Sequence, residues 1–276
     1  MPITPMFHVH AWGMPFAATM LGLKQVYPGR YDPELLVGLW QKEKVTFSHC
    51  VPTILQMVLN AKAAEGVNFN GWKLIIGGSA LNRSLFLAAK EKGMCLSTAY
   101  GMSETGPIIS GAYLNDDAVA GTDDQRTACL LKAGVPVPLV QARILDAEGK
   151  SMPHDGVAQG ELVLRAPWLT MAYFNEPQKS AELWEGGWLH TGDVAAIGTD
   201  GAIEIRDRIK DVIKTGGEWI SSLELEDLIS RHPAVREVAV VGMPDERWGE
   251  SPFALVVLRV GQSLDAAGLQ THMLTF

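Results

Sequence analysis

The chain has 276 residues, 47% of them hydrophobic, and its 23 basic and 31 acidic residues give a formal net charge of −8. This length supports one large domain or two smaller ones with a packed core, and an acidic surface argues against a nucleic-acid partner. The three cysteines are far apart and form no Cys-x-x-Cys pair, which predicts reduced thiols and not a disulfide framework or a zinc site.

Residues 24–99 alternate between strand-like and helix-like patterns. A short apolar run at 24–27 precedes a helical stretch at 34–42, a β-rich segment at 45–49 and a helix behind Pro52 at 53–64. A buried strand at 74–76, a helix at 83–92 and a strand at 95–99 follow. This alternation predicts β-α-β units and a parallel sheet, whose ligands bind beyond the carboxyl ends of the strands.

After about residue 120 the pattern changes to short strands. Segments 140–145 and 160–165, with a hairpin of 194–197 and 203–205 around Asp200-Gly201, predict a small, mainly antiparallel β unit. The charged segment 206–211 lies between two apolar zones and predicts a domain boundary. Beyond it we expect a helix with leucine at positions 223, 225 and 228, then strands at 235–241 and 253–258.

The sequence shows no signal-peptide pattern at its start and no run of ~18 apolar residues long enough to cross a membrane. We therefore expect a soluble, cytoplasmic protein. Both ends are abrupt, because a dense motif lies close to Met1 and no closing element precedes Phe276. We expect the chain to be a fragment.

Two glycine-containing segments follow predicted strands. The segment 100–105, Tyr-Gly-Met-Ser-Glu-Thr, offers a close backbone approach, a hydroxyl and a carboxylate that can hold Mg²⁺ beside phosphates. A plain turn with an exposed glutamate explains those six residues equally well. The segment 77–80, Gly-Gly-Ser-Ala, permits close approach to a ring or a phosphate, although tight helix–strand packing is the simpler explanation.

The segment 188–193, Trp-Leu-His-Thr-Gly-Asp, places Asp193 at the start of a predicted strand, where a carboxylate can bind ribose hydroxyls. A turn-capping aspartate is the alternative, and we interpret His190 as structural. The segment 7–12, Phe-His-Val-His-Ala-Trp, is dense in aromatic residues and suits an apolar ligand; with no third ligand evident, we reject a metal site there. The segment 210–219 carries two lysines, two glycines and a tryptophan, which suit an anionic, planar ligand or a solvated hairpin.

Taken together and in this order, these motifs resemble the adenylate-forming superfamily, specifically its fatty acyl-CoA synthetase branch, over essentially the whole chain. The medium-chain fatty acyl-CoA ligases are the most similar members in the segments around Trp219 and at 27–30. The resemblance implies an α/β fold: a partial large domain with a parallel α/β sheet and a small antiparallel β unit, then the start of a small α+β C-terminal domain. It places the large domain at 1–207, divided into sheet (1–119) and β unit (120–207), and the hinge with a truncated lid domain at 208–276.

The resemblance also implies roles for individual residues. Catalytic roles fall on Ser103, Glu104 and Lys214, with Glu104 as the Mg²⁺ ligand and Ser103 beside the α-phosphate. An alanine at 99 replaces a glycine common in the family, which implies a tighter pocket. The residues implied in ATP and AMP binding are Gly78, Thr98, Ala99, Tyr100, Ser103, Asp193, Arg208, Lys210, Lys214 and Trp219.

The acyl group is assigned to a second set of residues, with Trp12 as an aromatic gate on the fatty-acid tunnel. This set comprises His8, Val9, Trp12 and Gly78. Gly216 and Gly217 correspond to the CoA passage, and Lys210 to the hinge of the lid domain.

The implied reaction activates a fatty acid of medium to long chain length with ATP and Mg²⁺, then transfers the acyl group to CoA. Fatty acid, ATP and CoA are thus the expected small-molecule partners, without nucleic acid, and the resemblance allows peripheral membrane contact and a homodimer. The family's phosphate loop and its terminal lysine have no counterpart between Met1 and Phe276, so we expect this chain to be inactive alone. Two alternatives stay open: an adenylating enzyme that does not use CoA, such as a fatty acyl-AMP ligase or a luciferase-like enzyme, and an inactive nucleotide- or lipid-binding fragment.

Overall fold

The computed structural model describes residues 1–215, 218–245 and 247–275. These residues form three sheets, each with its own apolar core. No helix in these ranges is both long and apolar enough to cross a bilayer.

The first sheet has five strands in the order β1-β2-β3-β4-β5, with β1, β2 and β3 parallel and the last two antiparallel. Its elements in chain order are α1 (Val9–Trp12), α2 (Met14–Met20), α3 (Pro33–Glu43), β1 (Phe47–Cys50), α4 (Pro52–Leu59), β2 (Lys73–Ile76), α5 (Arg83–Glu91), β3 (Cys95–Gly101), β4 (Ile108–Gly111), α6 (Asp116–Ala120), α7 (Asp123–Leu131) and β5 (Val135–Pro136).

Local sequence signals define the helices of this layer. The carboxylate of Asp32 accepts the backbone N–H groups of Glu34 and Leu35 at the start of α3, and the amide oxygen of Asn82 accepts an N–H at the start of α5. Trp40, Phe69 and Trp72 pack together in the core beneath the sheet. The predicted parallel sheet is confirmed.

The predicted helix at 53–64 is too long. It ends at Leu59, and residues Lys62–Ala64 form a separate 3₁₀ turn. The cause is a distant side chain: the carboxylate of Glu34 accepts the backbone N–H groups of Lys62 at 2.8 Å and Ala63 at 2.7 Å.

The second sheet is antiparallel, in the order β6-β7-β8-β9, and confirms the predicted β unit and its hairpin at Asp200-Gly201. Its elements are β6 (Gln141–Leu145), β7 (Gly160–Arg165), α8 (Pro177–Leu183), β8 (Leu189–Ile197) and β9 (Ile203–Arg208). Helix α7 packs on β3, and β5 pairs with β4, so α7 and β5 belong structurally with the first sheet. The proposed divisions at 119/120 and 207/208 stay predictions.

The third sheet, in the order β11-β10-β13-β12, belongs to the small C-terminal unit. Its elements are β10 (Ile213–Thr215), β11 (Glu218–Ile220), α9 (Ser222–Ser230), β12 (Val235–Asp245), β13 (Gly249–Leu258) and α10 (Ala266–Met273). Helix α9 contacts the first layer directly: the backbone N–H of Arg83 donates to Asp227 Oδ1 at 3.0 Å, and the Ser84 hydroxyl donates to the Ser230 carbonyl at 3.3 Å.

Candidate active site

A cavity of about 760 Å³ lies where the three sheets meet. Strands β2 and β3 end at it, as expected for a ligand site in an α/β sheet. Seven residues predicted to bind nucleotide line it: Gly78, Thr98, Ala99, Tyr100, Asp193, Arg208 and Lys210. The C-terminal unit closes the other side with residues that include Ser222, Glu226, Val240 and Glu250.

Asp193 is the centre of a buried polar cluster at this cavity. Its carboxylate accepts a hydrogen bond from the Tyr100 hydroxyl and forms an ion pair with Arg208, whose Nε lies 3.3 Å from Oδ1. Burial raises the pKa of Asp193, while the Tyr100 hydrogen bond and the Arg208 charge oppose that rise. Burial, reinforced by Asp193, also raises the pKa of Tyr100. The cluster therefore brings together the Asp193 carboxylate, which has several hydrogen-bond acceptor sites, and the positively charged Arg208 side chain.

The strand position of Asp193 differs from the prediction. It lies within β8 and not at its start, and it faces Arg208 as a cross-strand partner in β9. Strand β8 begins earlier because Leu189 and His190 already pair with β7. His190 uses both ring nitrogens, with Glu161 Oε2 at 2.9 Å and the Glu185 carbonyl at 3.2 Å, as expected for a structural histidine.

The Gly77-Gly78 turn permits close approach of two backbones. A Cβ at Gly77 would lie 2.9 Å from the Ala99 carbonyl oxygen, and Gly78 has φ +88° with Val51 nearby. Both positions therefore favour glycine. Gly77 is buried, whereas Gly78 is exposed and lines the cavity. Thr98 lines the same wall, although its hydroxyl donates to the Leu130 carbonyl at 3.1 Å.

Ser103 and Glu104 lie on a 3₁₀ turn that follows β3, next to the cavity-lining Met102. Glu104 is fixed from a distant segment: its Oε1 accepts a hydrogen bond from the Tyr173 hydroxyl at 2.7 Å, and its carbonyl accepts the Thr170 N–H at 2.9 Å. Burial and the Glu104 contact raise the pKa of Tyr173 to about 12. Tyr173 was not predicted from the sequence, because no local pattern connects it to Glu104, which lies 69 positions away.

The predicted acyl residues His8, Val9 and Trp12 lie on or beside α1, outside the cavity wall. Another residue of that helix, His10, faces the glycine turn, with its Cε1 3.7 Å from a Cβ placed on Gly77. The His10 ring also packs on His49, with centroids 4.7 Å apart. The contact of His10 with His49 and its approach to Gly77 were not predicted from the sequence.

The link between the second and third sheets runs through residues 209–212. The sequence predicts a domain boundary at the charged segment 206–211, and Asp207 within this segment is only 2% exposed. Its carboxylate is buried because it accepts the backbone N–H of Ser222 at 2.6 Å, at the start of α9, and that of Arg208 at 2.7 Å. Lys210, three residues after Asp207, lines the cavity.

The remaining predicted residues belong to the C-terminal unit. Lys214 lies exposed in β10, away from the cavity wall, and its backbone N–H donates to Glu250 Oε2 at 2.8 Å. Gly216 and Gly217 lie outside the described residues, and Trp219 is described only as part of the β11 backbone.

This arrangement defines a class: an α/β protein whose ligand site lies between the carboxyl edge of a parallel sheet and a small α+β unit. Comparison with known families identifies it further. The AMP-binding enzyme model matches residues 1–174, and the AMP-binding enzyme C-terminal domain model matches residues 224–274. The chain belongs to the AMP-binding enzyme family.

Individual relatives carry acid–CoA ligase names. The long-chain-fatty-acid–CoA ligase of Thermus thermophilus is 40% identical over 99% of this chain and 51% of its own length. The medium-chain-fatty-acid–CoA ligase of Ectopseudomonas oleovorans is 36% identical over 93% of this chain and 47% of its own length. The crystal structure of the anthranilate CoA ligase AuaEII with anthranoyl-AMP superposes with a TM-score of 0.82 at 25% identity, covering 98% of this chain and 51% of that one. The chain thus spans about half the length of the curated relatives that it matches.

Proposed function

We propose that this chain carries the adenylate site and the beginning of the lid of an ATP-dependent fatty acyl-CoA synthetase. The reaction converts a medium- to long-chain fatty acid to an acyl adenylate and then to acyl-CoA, with release of pyrophosphate and AMP. Family membership and the fatty-acid–CoA ligase names of two relatives support this proposal. The single observation that carries it is the Tyr100–Asp193–Arg208 cluster at the edge of the parallel sheet.

Each member of the cluster has a role that its chemistry supports. Asp193 accepts hydrogen bonds from ribose hydroxyls, because a buried carboxylate has spare acceptor sites beyond Tyr100 and Arg208. Arg208, whose side chain is 60% exposed, pairs with Asp193 and is assigned beside it at the ribose. The backbone of Gly78 and the ring of Tyr100 form the walls against a planar base.

Glu104 suits a magnesium ion that accompanies ATP. Mg²⁺ in nucleotide sites takes one or two protein carboxylates and fills its other positions with phosphate and water, so one glutamate suffices. When bound, the ion offsets phosphate charge. The Tyr173 hydroxyl donates a hydrogen bond to Oε1 of Glu104 and so restricts the rotation of the carboxylate.

The chemistry requires positioning and not a protein nucleophile. The fatty-acid carboxylate oxygen bonds to the α-phosphorus as the bond to the pyrophosphate oxygen breaks. The CoA thiol then loses its proton to solvent, and the resulting thiolate bonds to the acyl carbon as AMP leaves with the electron pair of the acyl–oxygen bond. We assign Lys210 as the pivot between the two steps, and Lys214, Gly216, Gly217 and Trp219 to the second step.

Chain-length selection is assigned to the acyl set His8, Val9, Trp12 and Gly78. Each buried methylene contributes about 0.8 kcal/mol, roughly fourfold in affinity, so preference should rise with chain length until the tunnel is full. We propose that the 276-residue chain alone releases no pyrophosphate from ATP and octanoate.

The binding test uses the chain as it is. We expect Asp193→Ala to weaken binding of AMP by about tenfold, the effect of losing a charged hydrogen bond worth about 1.4 kcal/mol, as measured by calorimetry. Asp117→Ala, which removes a carboxylate exposed on α6, is the matched control. Equal AMP affinity for both variants would show that the nucleotide site is elsewhere. In an enzyme extended to the length of the relatives, turnover of the acyl adenylate that does not depend on CoA would favour an adenylating enzyme of another type.

A further inference from the structure

Glu161 is a partly buried carboxylate that the proposed reaction does not use. It is the second residue of β7, and 22% of its side chain is exposed. Its Oε1 accepts the backbone N–H of Gly192 at 3.1 Å, and its Oε2 lies 2.9 Å from Nδ1 of His190. One side chain therefore contacts β8 at two positions immediately ahead of Asp193.

The segment that Glu161 contacts is a bulge in β8. The pairing of β7 with β8 shifts register between Glu161 and Val163, where one residue of β7 faces residues 191–193 of β8. Bulged residues leave the regular ladder, and bulges change the direction of neighbouring side chains. Gly192, at φ +71°, donates its N–H to the Glu161 carboxylate instead. The direction of the Asp193 side chain therefore depends on how this bulge is held.

Other hydrogen bonds also hold the bulge, but they join neutral groups. The Thr191 hydroxyl donates to the Leu162 carbonyl at 2.7 Å and accepts the Asp193 N–H at 3.1 Å. The Gly192 carbonyl accepts the Ile209 N–H at 2.9 Å. A hydrogen bond to a carboxylate is roughly twice as strong as one between neutral groups. The carboxylate contact is therefore the strongest of these restraints on the bulge.

His190 holds the Glu161 carboxylate in turn. Its Nδ1 contacts Oε2 of Glu161, and its Nε2 lies 3.2 Å from the carbonyl oxygen of Glu185 in the 3₁₀ turn Glu185–Gly187. Both carboxylate oxygens of Glu161 thus have partners, and across residues 1–215, 218–245 and 247–275 the cavity lining does not include Glu161. Glu161 therefore acts on a ligand only through the position of Asp193.

We propose that Glu161 is a positioning residue for the nucleotide ribose. It holds the bulge so that the Asp193 carboxylate, which also contacts Tyr100 and Arg208, presents its remaining acceptor sites to the ribose hydroxyls. This inference rests on the proposed function, because it takes the nucleotide to lie at Asp193. Its consequence is selectivity: the preference for a nucleotide with ribose hydroxyls over one without them depends on Glu161.

Two nucleotides that differ only at the ribose test this role. AMP and 2′,3′-dideoxy-AMP share base and phosphate, so the ratio of their dissociation constants, measured by calorimetry, reports the contact with the ribose hydroxyls. We expect Glu161→Ala to weaken AMP binding by about fivefold, the effect of one lost hydrogen bond, and to leave dideoxy-AMP binding unchanged. Glu161→Gln should keep the parent ratio, because its amide oxygen accepts the Gly192 N–H. Glu148→Ala, which removes an exposed carboxylate between β6 and β7, is the matched control.

The outcomes separate this inference from the proposed function. A parent chain that binds AMP no more tightly than dideoxy-AMP removes the ribose role of Asp193, and with it both proposals. Where the parent does discriminate, three results overturn the role of Glu161 and leave the proposed function: an unchanged ratio in Glu161→Ala, equal weakening of both nucleotides, or the same loss in Glu161→Gln. If Glu161→Ala does not fold, His190→Leu decides by the same criterion. It frees Oε2 alone, so we expect the ratio to fall by about twofold, and an unchanged ratio overturns the inference.

Discussion

The buried histidine on β1 makes the stability of this protein sensitive to acid. Burial, followed by the nearby charges of His10 and the terminal amino group, lowers the pKa of His49 from an ordinary 6.5 to about 3. The folded chain therefore keeps His49 neutral at pH values where the unfolded chain protonates it. The stability associated with neutral His49 is fully present above pH 6.5 and is lost as the pH falls towards 3.

The size of the effect follows from the pKa difference. Each pH unit in this window costs about 1.4 kcal/mol, so lowering the pH from about 6.5 to about 4.5 removes about 2.7 kcal/mol. His49→Leu removes the titrating group and the two unpaired ring nitrogens. We expect the variant to be at least as stable as the parent at neutral pH and to exceed it by a margin that grows by about 1.4 kcal/mol per unit below pH 6.5.

Urea unfolding measures this margin. Tryptophan fluorescence reports on the same core, because Trp72 donates its indole N–H to the Ser48 hydroxyl, next to His49, and packs on Trp40. His154→Leu, at an exposed loop position, is the control and should leave the pH dependence unchanged. If the curves of stability against pH for His49→Leu and the parent run parallel from 6.5 to 4.5, this reasoning is wrong.

Three further predictions concern the site and the C-terminal unit. Tyr173→Phe removes the hydrogen bond to Glu104, so we expect half-saturation of ATP binding to require about fivefold more Mg²⁺, the effect of about 1 kcal/mol; an unchanged titration would contradict this. In an enzyme extended to the length of the relatives, we expect Lys210→Pro to retain acyl-adenylate formation and lose acyl-CoA formation, since proline fixes φ near −65°. Equal loss in both single-turnover assays would make Lys210 a simple charge contact. Asp227→Ala removes the acceptor of the Arg83 N–H and should weaken the packing of the C-terminal unit on the first sheet by about 1 kcal/mol. We expect faster proteolysis at 209–212. Unchanged cleavage would show that this contact does not hold the C-terminal unit in place.

The sequence predicted the elements that are specified locally. Hydrophobic runs located β2, β3 and both strands of the Asp200-Gly201 hairpin, because apolar periodicity and turn residues act within a few positions. The end of α4 could not be found in this way. It depends on the Glu34 carboxylate, which reaches across from α3 to residues 28 and 29 positions later.

In the candidate site too, residues marked by local sequence were predicted, whereas contacts between distant segments were not. Glycine turns and strand ends marked Gly78, Tyr100 and Asp193, and the fold brings these residues to one cavity. Two contacts were invisible in the sequence: Tyr173 with Glu104, and His10 with His49. Each joins segments distant in the chain and depends on tertiary distances, for which a single sequence carries no local signal.

The placement of charged residues at the lid was also beyond local reasoning. A run of charges normally indicates solvent, yet Asp207 is buried because α9 begins over it and needs an acceptor for the Ser222 N–H. Lys214, to which the motif assigns a catalytic role, is exposed and does not line the cavity. Domain orientation is a property of contacts such as Asp227 with Arg83, and not of the motif.

The cluster around Asp193 is shared between layers: Tyr100 comes from the first sheet, whereas Asp193 and Arg208 come from the second. Binding of a ligand to this cluster and packing of the first sheet against the second are therefore thermodynamically coupled. A ligand at a hundred times its dissociation constant would add about 2.7 kcal/mol to the docked state. Conversely, a substitution far from the cavity that loosens the contact between the sheets would weaken binding of the ligand through the same coupling. Such a variant would resemble a binding-site mutant in a titration while leaving every ligand-contacting atom in place.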